Sequence, residues 1–479
     1  MRRSGRFGAA AGAVAIAIPA LTAPGPAAPP STPVAATVNL SAGETAAAVR
    51  DGRVSRRDVV ERHIATIERR EAQLNAFIAL DFDGLRRSAA AADGAAVPRG
   101  PLDGVVVAIK DNIETGDMAT TAGSNTVAAT NIAGREATAV VRLRAAGAFV
   151  IGKTNMDTFA RGVRTVSQVA GATRNPLDPA MAPGGSSGGS AVAVAAGMAD
   201  VALGSDTCGS LRYPAAYTGL FGLRPTPGLV SRDGLVPLSP THDVVGPIAS
   251  NVGDIALVLD VIAGPDLLDP LTAGAPPTAQ PGHGYGTAVA EVATVPGRTL
   301  RIGVIESLVA RATPTARLEI RRFRVAASAR AGVEFVSIAA MPALPPGLVI
   351  NDEFEPAKAS YLAARRGGET SDPWLSAPLP VRDRAGYERR RRERETVRTR
   401  LVALLDGLQL DALAYPTTPF DPAPVGRPQP SANCQFAAAG GLPALSVPVG
   451  RFVGLDLLGR PFDEALLLVA AERLVGSRR

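Results

Sequence analysis

The sequence predicts an α/β fold with helices layered over a buried sheet. Three observations predict it. Short apolar runs of strand length recur along the chain, amphipathic segments of helical period separate them, and a hydrophobic content of 46% suits a sizeable core. At 479 residues there is room for one large α/β domain or for two or three ordinary ones.

The elements follow in chain order. Ser55-Arg56-Arg57-Asp58 has the form of a capping box, and Val59, Val60, His63, Ile64 and Ile67 share one face of the helix it opens. His63 reads as a packing residue there. Residues 104–109 form an apolar run suited to a buried strand, which Lys110 ends. Residues 137–146 predict a helix and 149–152 the next strand. Residues 191–198 predict a helix of small side chains, and 201–203 a strand running into Gly204. Beyond these, 255–262 is an apolar helix, 300–305 and 333–338 are strands around a basic helix near 316–331, and 413–415 and 445–449 are late strands. The run Glu388-Arg389-Arg390-Arg391-Arg392-Glu393-Arg394-Glu395 predicts a helix whose arginines pair with glutamates at helical spacing. The Pro/Gly-rich stretch 274–297 reads as a surface connection, and no internal repeat is found.

A net charge of +6 and a pI near 9.7 raise the question of nucleic acid or membrane surfaces. The arginines are spread along the chain and interleaved with acids, so no nucleic-acid partner and no stable membrane partner is expected. Arg2, Arg3 and Arg6 precede an apolar, alanine-rich stretch and then a Pro/Ala-rich one. That order predicts an export signal and linker over 1–36, ahead of one domain over 37–479. The expected location is therefore periplasmic or extracellular, with an uncleaved membrane anchor as the alternative. Cys208 and Cys434 do not form a disulfide framework, and Cys208, inside a glycine-rich loop, is expected to be a small free thiol. His63, His242 and His283 are too scattered for a histidine metal site.

The chemistry is concentrated in three places. The chain carries three lysines against forty-seven arginines, and one of the three, Lys110, ends a strand pattern. Two clusters follow, Pro183-Gly184-Gly185-Ser186-Ser187-Gly188-Gly189-Ser190 and Gly204-Ser205-Asp206-Thr207-Cys208-Gly209-Ser210. A buried lysine can shed its proton, whereas arginine cannot. Serine is a weak nucleophile and needs such a base, and glycine-rich turns let backbone N–H groups converge on an oxyanion. Neither glycine–serine cluster has the Gly-x-x-x-x-Gly-Lys-Ser/Thr pattern of a phosphate loop, so that reading is set aside for both. Gly184 to Gly188 fits the bare Gly-x-Ser-x-Gly spacing of a nucleophile elbow, but the preceding residues 175–183 hold three prolines and read as loop.

With separations of 76 and 24 residues between Lys110, Ser186 and Ser210, the chain resembles the amidase signature hydrolases. The resemblance spans about residues 40–475. It is carried by Lys110-Asp111-Asn112, Thr120 to Ser124, Pro183 to Ala191, Gly204 to Arg212, Gly222 to Thr226, Gly441 to Pro448 and Gly459 to Glu464. Gly228 to Gly234 looks like the peptide-amidase branch. The resemblance implies the amidase-signature fold, a large mixed β-sheet covered by helices on both faces. It also implies Lys110 as base, Ser186 as proton relay preceded by a cis peptide, and Ser210 as nucleophile. Backbone N–H groups of Thr207, Cys208, Gly209 and Ser210 would form the oxyanion hole, with Ser187, Asp206 and Arg212 in support. Lys153 is read as a salt-bridge partner, with a second active-site cation as the alternative, and His242 as structural, since the resemblance falls on Asp243.

The implied function is hydrolysis of a small-molecule carboxamide to a carboxylate plus ammonia or an amine, through a Ser210 acyl-enzyme. This serine–lysine hydrolysis implies neither a metal nor an organic cofactor. The alternatives are an amidotransferase A-type subunit that uses glutamine-derived ammonia on charged tRNA, or a catalytically impaired binding protein of the same fold. Two stretches depart from the family: 448–459 is short, and 301–340 matches loosely.

Overall fold

The structure, a computed structural model, describes residues 40–476 apart from 95–97, 129–133, 277–283, 293–297, 331 and 368–379. The expected export segment and His283 lie outside the described residues.

Thirteen strands are described: β1 (Phe77–Leu80), β2 (Val106–Lys110), β3 (Phe149–Thr154), β4 (Val166–Ser167), β5 (Gly171–Ala172), β6 (Val201–Asp206), β7 (Phe221–Arg224), β8 (Val244–Ala249), β9 (Leu300–Ile305), β10 (Val333–Ile338), β11 (Ala412–Pro416), β12 (Ala444–Gly450) and β13 (Val453–Leu458). Eleven of them form one mixed sheet in the order β1-β3-β2-β6-β8-β7-β12-β13-β11-β9-β10, and β4 with β5 makes a small hairpin. The pairs β2/β3, β2/β6, β9/β10 and β9/β11 are parallel, while the strands between β6 and β11 run antiparallel.

Alternate side chains show how helices come to cover both faces. On β2, Val107 and Ile109 enter one core, with Val140 and Leu143 of helix Thr138–Ala145 and Ile255 and Leu259 of helix Val252–Ile262. Val106 and Ala108 enter the other, with Val60, Ile64 and Ile67 of helix Arg56–Leu74 and Ala191 and Val192 of helix Gly188–Ala195. Strands buried on both faces read as unbroken apolar runs, which is why β2 is legible. The capping box is present: Ser55 Oγ accepts from Asp58 N at 3.0 Å, and Asp58 accepts from Ser55 N at 3.4 Å.

The structure adds to the expected pattern in several places. The stretch 274–297 is more than a surface connection, because it contains helix Tyr285–Val292, whose Tyr285 and Val289 are buried in the core. Asp260 accepts the N–H groups of Gly284, Tyr285 and Gly286 and so starts that helix. β8 holds Gly246 and Pro247, which mask its strand pattern. β13 holds a fully buried aspartate, Asp456, at its centre. The short stretch 448–459 is the tight β12–β13 hairpin, with Phe452 at φ 63° in its turn. The loosely matching stretch 301–340 forms β9, helix Pro314–Ser328 and β10.

Candidate active site

The site lies where the parallel strands β2 and β6 end, the edge of an open α/β sheet at which ligands commonly bind. Lys110 is the last residue of β2 and is fully buried. Its Nζ lies 2.7 Å from Ser186 Oγ, 2.8 Å from Ser205 Oγ and 3.4 Å from the Ser205 carbonyl. Asn112 Nδ2 donates to Ser205 Oγ at 3.0 Å. Burial pushes the Lys110 amine down to about 7, against the opposing pull of Asp157, Asp206 and Asp243. Near neutral pH much of this amine is therefore uncharged, with a lone pair to accept a proton from a hydroxyl.

Ser186 follows a cis Gly185–Ser186 peptide and is wholly buried. Ser187, next to it, joins the two loops: its N–H donates to the Ser210 carbonyl at 3.1 Å, and its Oγ to the Ser205 carbonyl at 3.1 Å. Gly204 permits this contact, since a Cβ there would stand 2.7 Å from Ser187 Oγ.

The 206–212 loop is organised by Asp206. Its carboxylate accepts Gly209 N at 2.8 Å and Leu211 N at 3.2 Å, and pairs with Arg212 Nε and Arg224 Nη1, each at 3.1 Å. Burial raises Asp206, but the two guanidiniums outweigh it and hold the carboxyl well below its usual range. Arg212 also donates to Asp456 Oδ2 at 2.5 Å, which ties the loop to β13. Thr207 Oγ1 donates to Asp243 at 2.5 Å, and Asp243 accepts Leu238 N and Ser239 N at 2.8 Å each.

Of the four N–H groups expected to face an oxyanion, that of Gly209 is taken by Asp206. Those of Thr207, Cys208 and Ser210 make no hydrogen bond among the described residues. Gly209 sits at φ 91°, and a Cβ there would be 2.7 Å from the Tyr213 ring.

Thr207, Cys208 and Ser210 line a cavity of about 620 Å³. Its other walls include Leu238, Leu348 and Ile350, and Arg161 is the only charged side chain lining it among the described residues. The Arg161 guanidinium stacks 4.9 Å from the Phe354 ring centre.

The free-thiol expectation for Cys208 is wrong. Cys208 is disulfide-bonded to Cys434, with their Cα atoms 4.9 Å apart across a sequence separation of 226. Folding brings the β6 loop against the N-cap of helix Gln435–Gly440, and both cysteines line the cavity. Lys153 is buried 3.8 Å from Asp111 Oδ1, and it donates to the Ile113 carbonyl at 2.6 Å and to Thr120 Oγ1. Burial, partly opposed by Asp111, lowers it to about 8. His242 is buried, with its ring nitrogens at the Ala438 carbonyl and Val349 N, and His63 is buried against Asp200.

Sequence reasoning missed Ser205, Asn112, Arg224, Asp456, Cys434 and Arg161 as site residues. The first three stand inside the motifs that carry the family resemblance, so their neighbourhood was a usable sign. The last three carry no local sign.

The sequence model of the Amidase family matches residues 58–468. The chain is 37% identical over 470 residues to the A-type subunit of glutamyl-tRNA(Gln) amidotransferase from Thermus thermophilus, covering 90% of this chain and 96% of that protein. It is 36% identical over 454 residues to the corresponding protein from Symbiobacterium thermophilum, covering 88% and 93%. Among solved structures, native peptide amidase from Stenotrophomonas maltophilia superposes with a TM-score of 0.79 at 31% identity, covering 91% of this chain and 96% of that one. The A-type glutamyl-tRNA(Gln) amidotransferase protein from Thermotoga maritima superposes with a TM-score of 0.72 at 28% identity, covering 91% and 94%. The match along almost its whole length shows that the chain belongs to the amidase family and has the amidase-signature fold.

Proposed function

We propose that the protein cleaves the C–N bond of a carboxamide through an acyl-enzyme on Ser210, with Lys110 as base and Ser186 as relay. The observation that carries this reading is the fully buried Lys110 amine 2.7 Å from Ser186 Oγ, behind a loop whose Ser210 lines the cavity. Ser210 Oγ attacks the carbonyl carbon as its proton passes to Ser186, whose own proton passes to Lys110. N–H groups of Thr207, Cys208 and Ser210 receive the developing oxyanion. One such donor is worth roughly 3–4 kcal/mol. The same relay returns the proton to the nitrogen as the C–N bond breaks. Water then attacks the ester as Lys110 takes its proton through Ser186. The relay hands that proton to Ser210 Oγ as the acyl C–O bond breaks, and the acid leaves, ionising in solvent to the carboxylate.

Two acceptors for the released nitrogen divide the readings. Free hydrolysis is supported by the likeness to peptide amidase and by the disulfide at the cavity wall, which suits an oxidising compartment. With the N-terminal sequence pattern, that disulfide also supports export. Service within a glutamyl-tRNA(Gln) amidotransferase is supported by the likeness to its A-type subunits, and on sequence similarity this reading is the better backed.

The discriminating experiment is ammonia release by the purified chain alone from short peptide amides, aromatic and aliphatic amides, and glutamine. Turnover of peptide or small amides without a partner supports the hydrolase. Activity confined to glutamine, or absent until partner subunits are added, assigns the amidotransferase.

A further inference from the structure

A second cavity, of about 710 Å³, is lined by five arginines (Arg232, Arg384, Arg391, Arg394 and Arg398) and one acid, Glu353. Glu353 is already committed. It accepts from Ser239 Oγ at 2.5 Å, Thr241 N at 3.0 Å and the Tyr387 hydroxyl at 2.7 Å. Arg232 is matched by Asp269 at 2.7 Å, and Arg384 and Arg391 both reach the same Glu388, at 3.5 and 3.8 Å.

Arg394 differs from these. Among the described residues it forms no ion pair, and its Nε is buried without a hydrogen-bond partner. It faces another cation. A Cβ built on Gly441 would stand 2.6 Å from Arg394 Nη2 and 2.9 Å from Arg398 Nη2, so the two guanidiniums converge on one backbone point. Arg398 has a reason to be there, since its Nε caps the Gly440 carbonyl at 2.8 Å at a helix C-terminus. Arg394 makes no such bond. Burial and then the charges of Arg398 and Arg224 push Arg394 down to about 10, against the smaller opposing pull of Glu395 and Glu353.

We propose that this cavity is a binding site for a multivalent oxyanion of the phosphate class, with Arg394 and Arg398 as inner ligands and Arg391 at the mouth. Planar guanidinium forks match the oxygens of such an anion, and a bound one relieves the like-charge contact. Glycine at 441 keeps the approach open. None of its lining residues borders the first cavity.

The test is calorimetric titration of the full chain with inorganic phosphate, at ionic strength held constant with chloride. Saturable binding in the millimolar range or tighter is expected, weakened at least tenfold in Arg394→Gln and in Arg398→Gln and retained in Ser210→Ala. Arg391→Gln, at an exposed position, serves if either inner variant fails to fold, and should weaken binding severalfold. Phosphate binding no better than chloride, unchanged affinity in the variants, or tighter binding of citrate than phosphate overturns the assignment.

Discussion

Cys208 and Cys434 are joined across 226 residues at the wall of the cavity that Ser210 lines. Cys208 belongs to the loop whose N–H groups are proposed to receive the oxyanion, and the bond fixes this loop against helix Gln435–Gly440. Reduction with dithiothreitol, or Cys434→Ser, should lower kcat about 10- to 100-fold, the usual result of a small displacement of catalytic groups. Closing so long a loop also contributes roughly 2–5 kcal/mol of stability, so the Tm should fall as well. Kinetics with and without reductant, beside a melting curve, checks both. Unchanged kcat in the reduced protein would remove the disulfide from the mechanism.

In the proposed mechanism the Lys110 amine sets the pH dependence. It must be neutral to accept a proton, so kcat/KM should rise with a single apparent pKa near 7 and then level off. Lys110→Arg, always charged, should be inactive across the range. Stability follows the same group. Its folded pKa is depressed, so between about 7 and 10.5 the unfolded chain binds the extra proton, and this group makes stability rise with pH over that window. Lys110→Met should abolish activity and reduce that slope, leaving the share that Lys153 contributes above about pH 8, measured by urea unfolding from pH 6 to 10.

Arg212 is buried between Asp206 and Asp456. Asp456→Asn leaves the buried Asp206 to balance both Arg212 and Arg224. A loss of about 3–5 kcal/mol is expected, read from the urea midpoint, because removing one member of a buried ion network strands a charge. Equal midpoints for variant and parent would show that the network is not holding the 206–212 loop.

Arg161 is the only charged side chain lining an otherwise largely apolar cavity among the described residues. An amide whose acyl part carries a carboxylate gains a charge-assisted pair there. Arg161→Gln should therefore lower kcat/KM about tenfold for such substrates and leave neutral amides little changed. An equal loss for both kinds would make Arg161 a structural residue.

Much of this site was legible because its parts are contiguous. Lys110 ends an apolar strand, Ser186 and Ser210 sit in glycine clusters, and the loop chemistry of Asp206 follows from its place between them. What escaped depends on contacts made only by folding. Asp456 meets Arg212 across a separation of 244, and it breaks the pattern of the strand that carries it. Cys434 gives no sign of its partner, and Arg161 is one of forty-seven arginines. The helix Tyr285–Val292 was hidden by the prolines and glycines on either side of it.

The most direct measurement is intact-mass spectrometry after incubation with a fluorophosphonate, followed by peptide mapping. A single adduct on Ser210 is predicted, absent from Ser210→Ala and formed far more slowly in Lys110→Met. An adduct on another residue that persists in Ser210→Ala, or labelling indifferent to the loss of Lys110, would contradict the account.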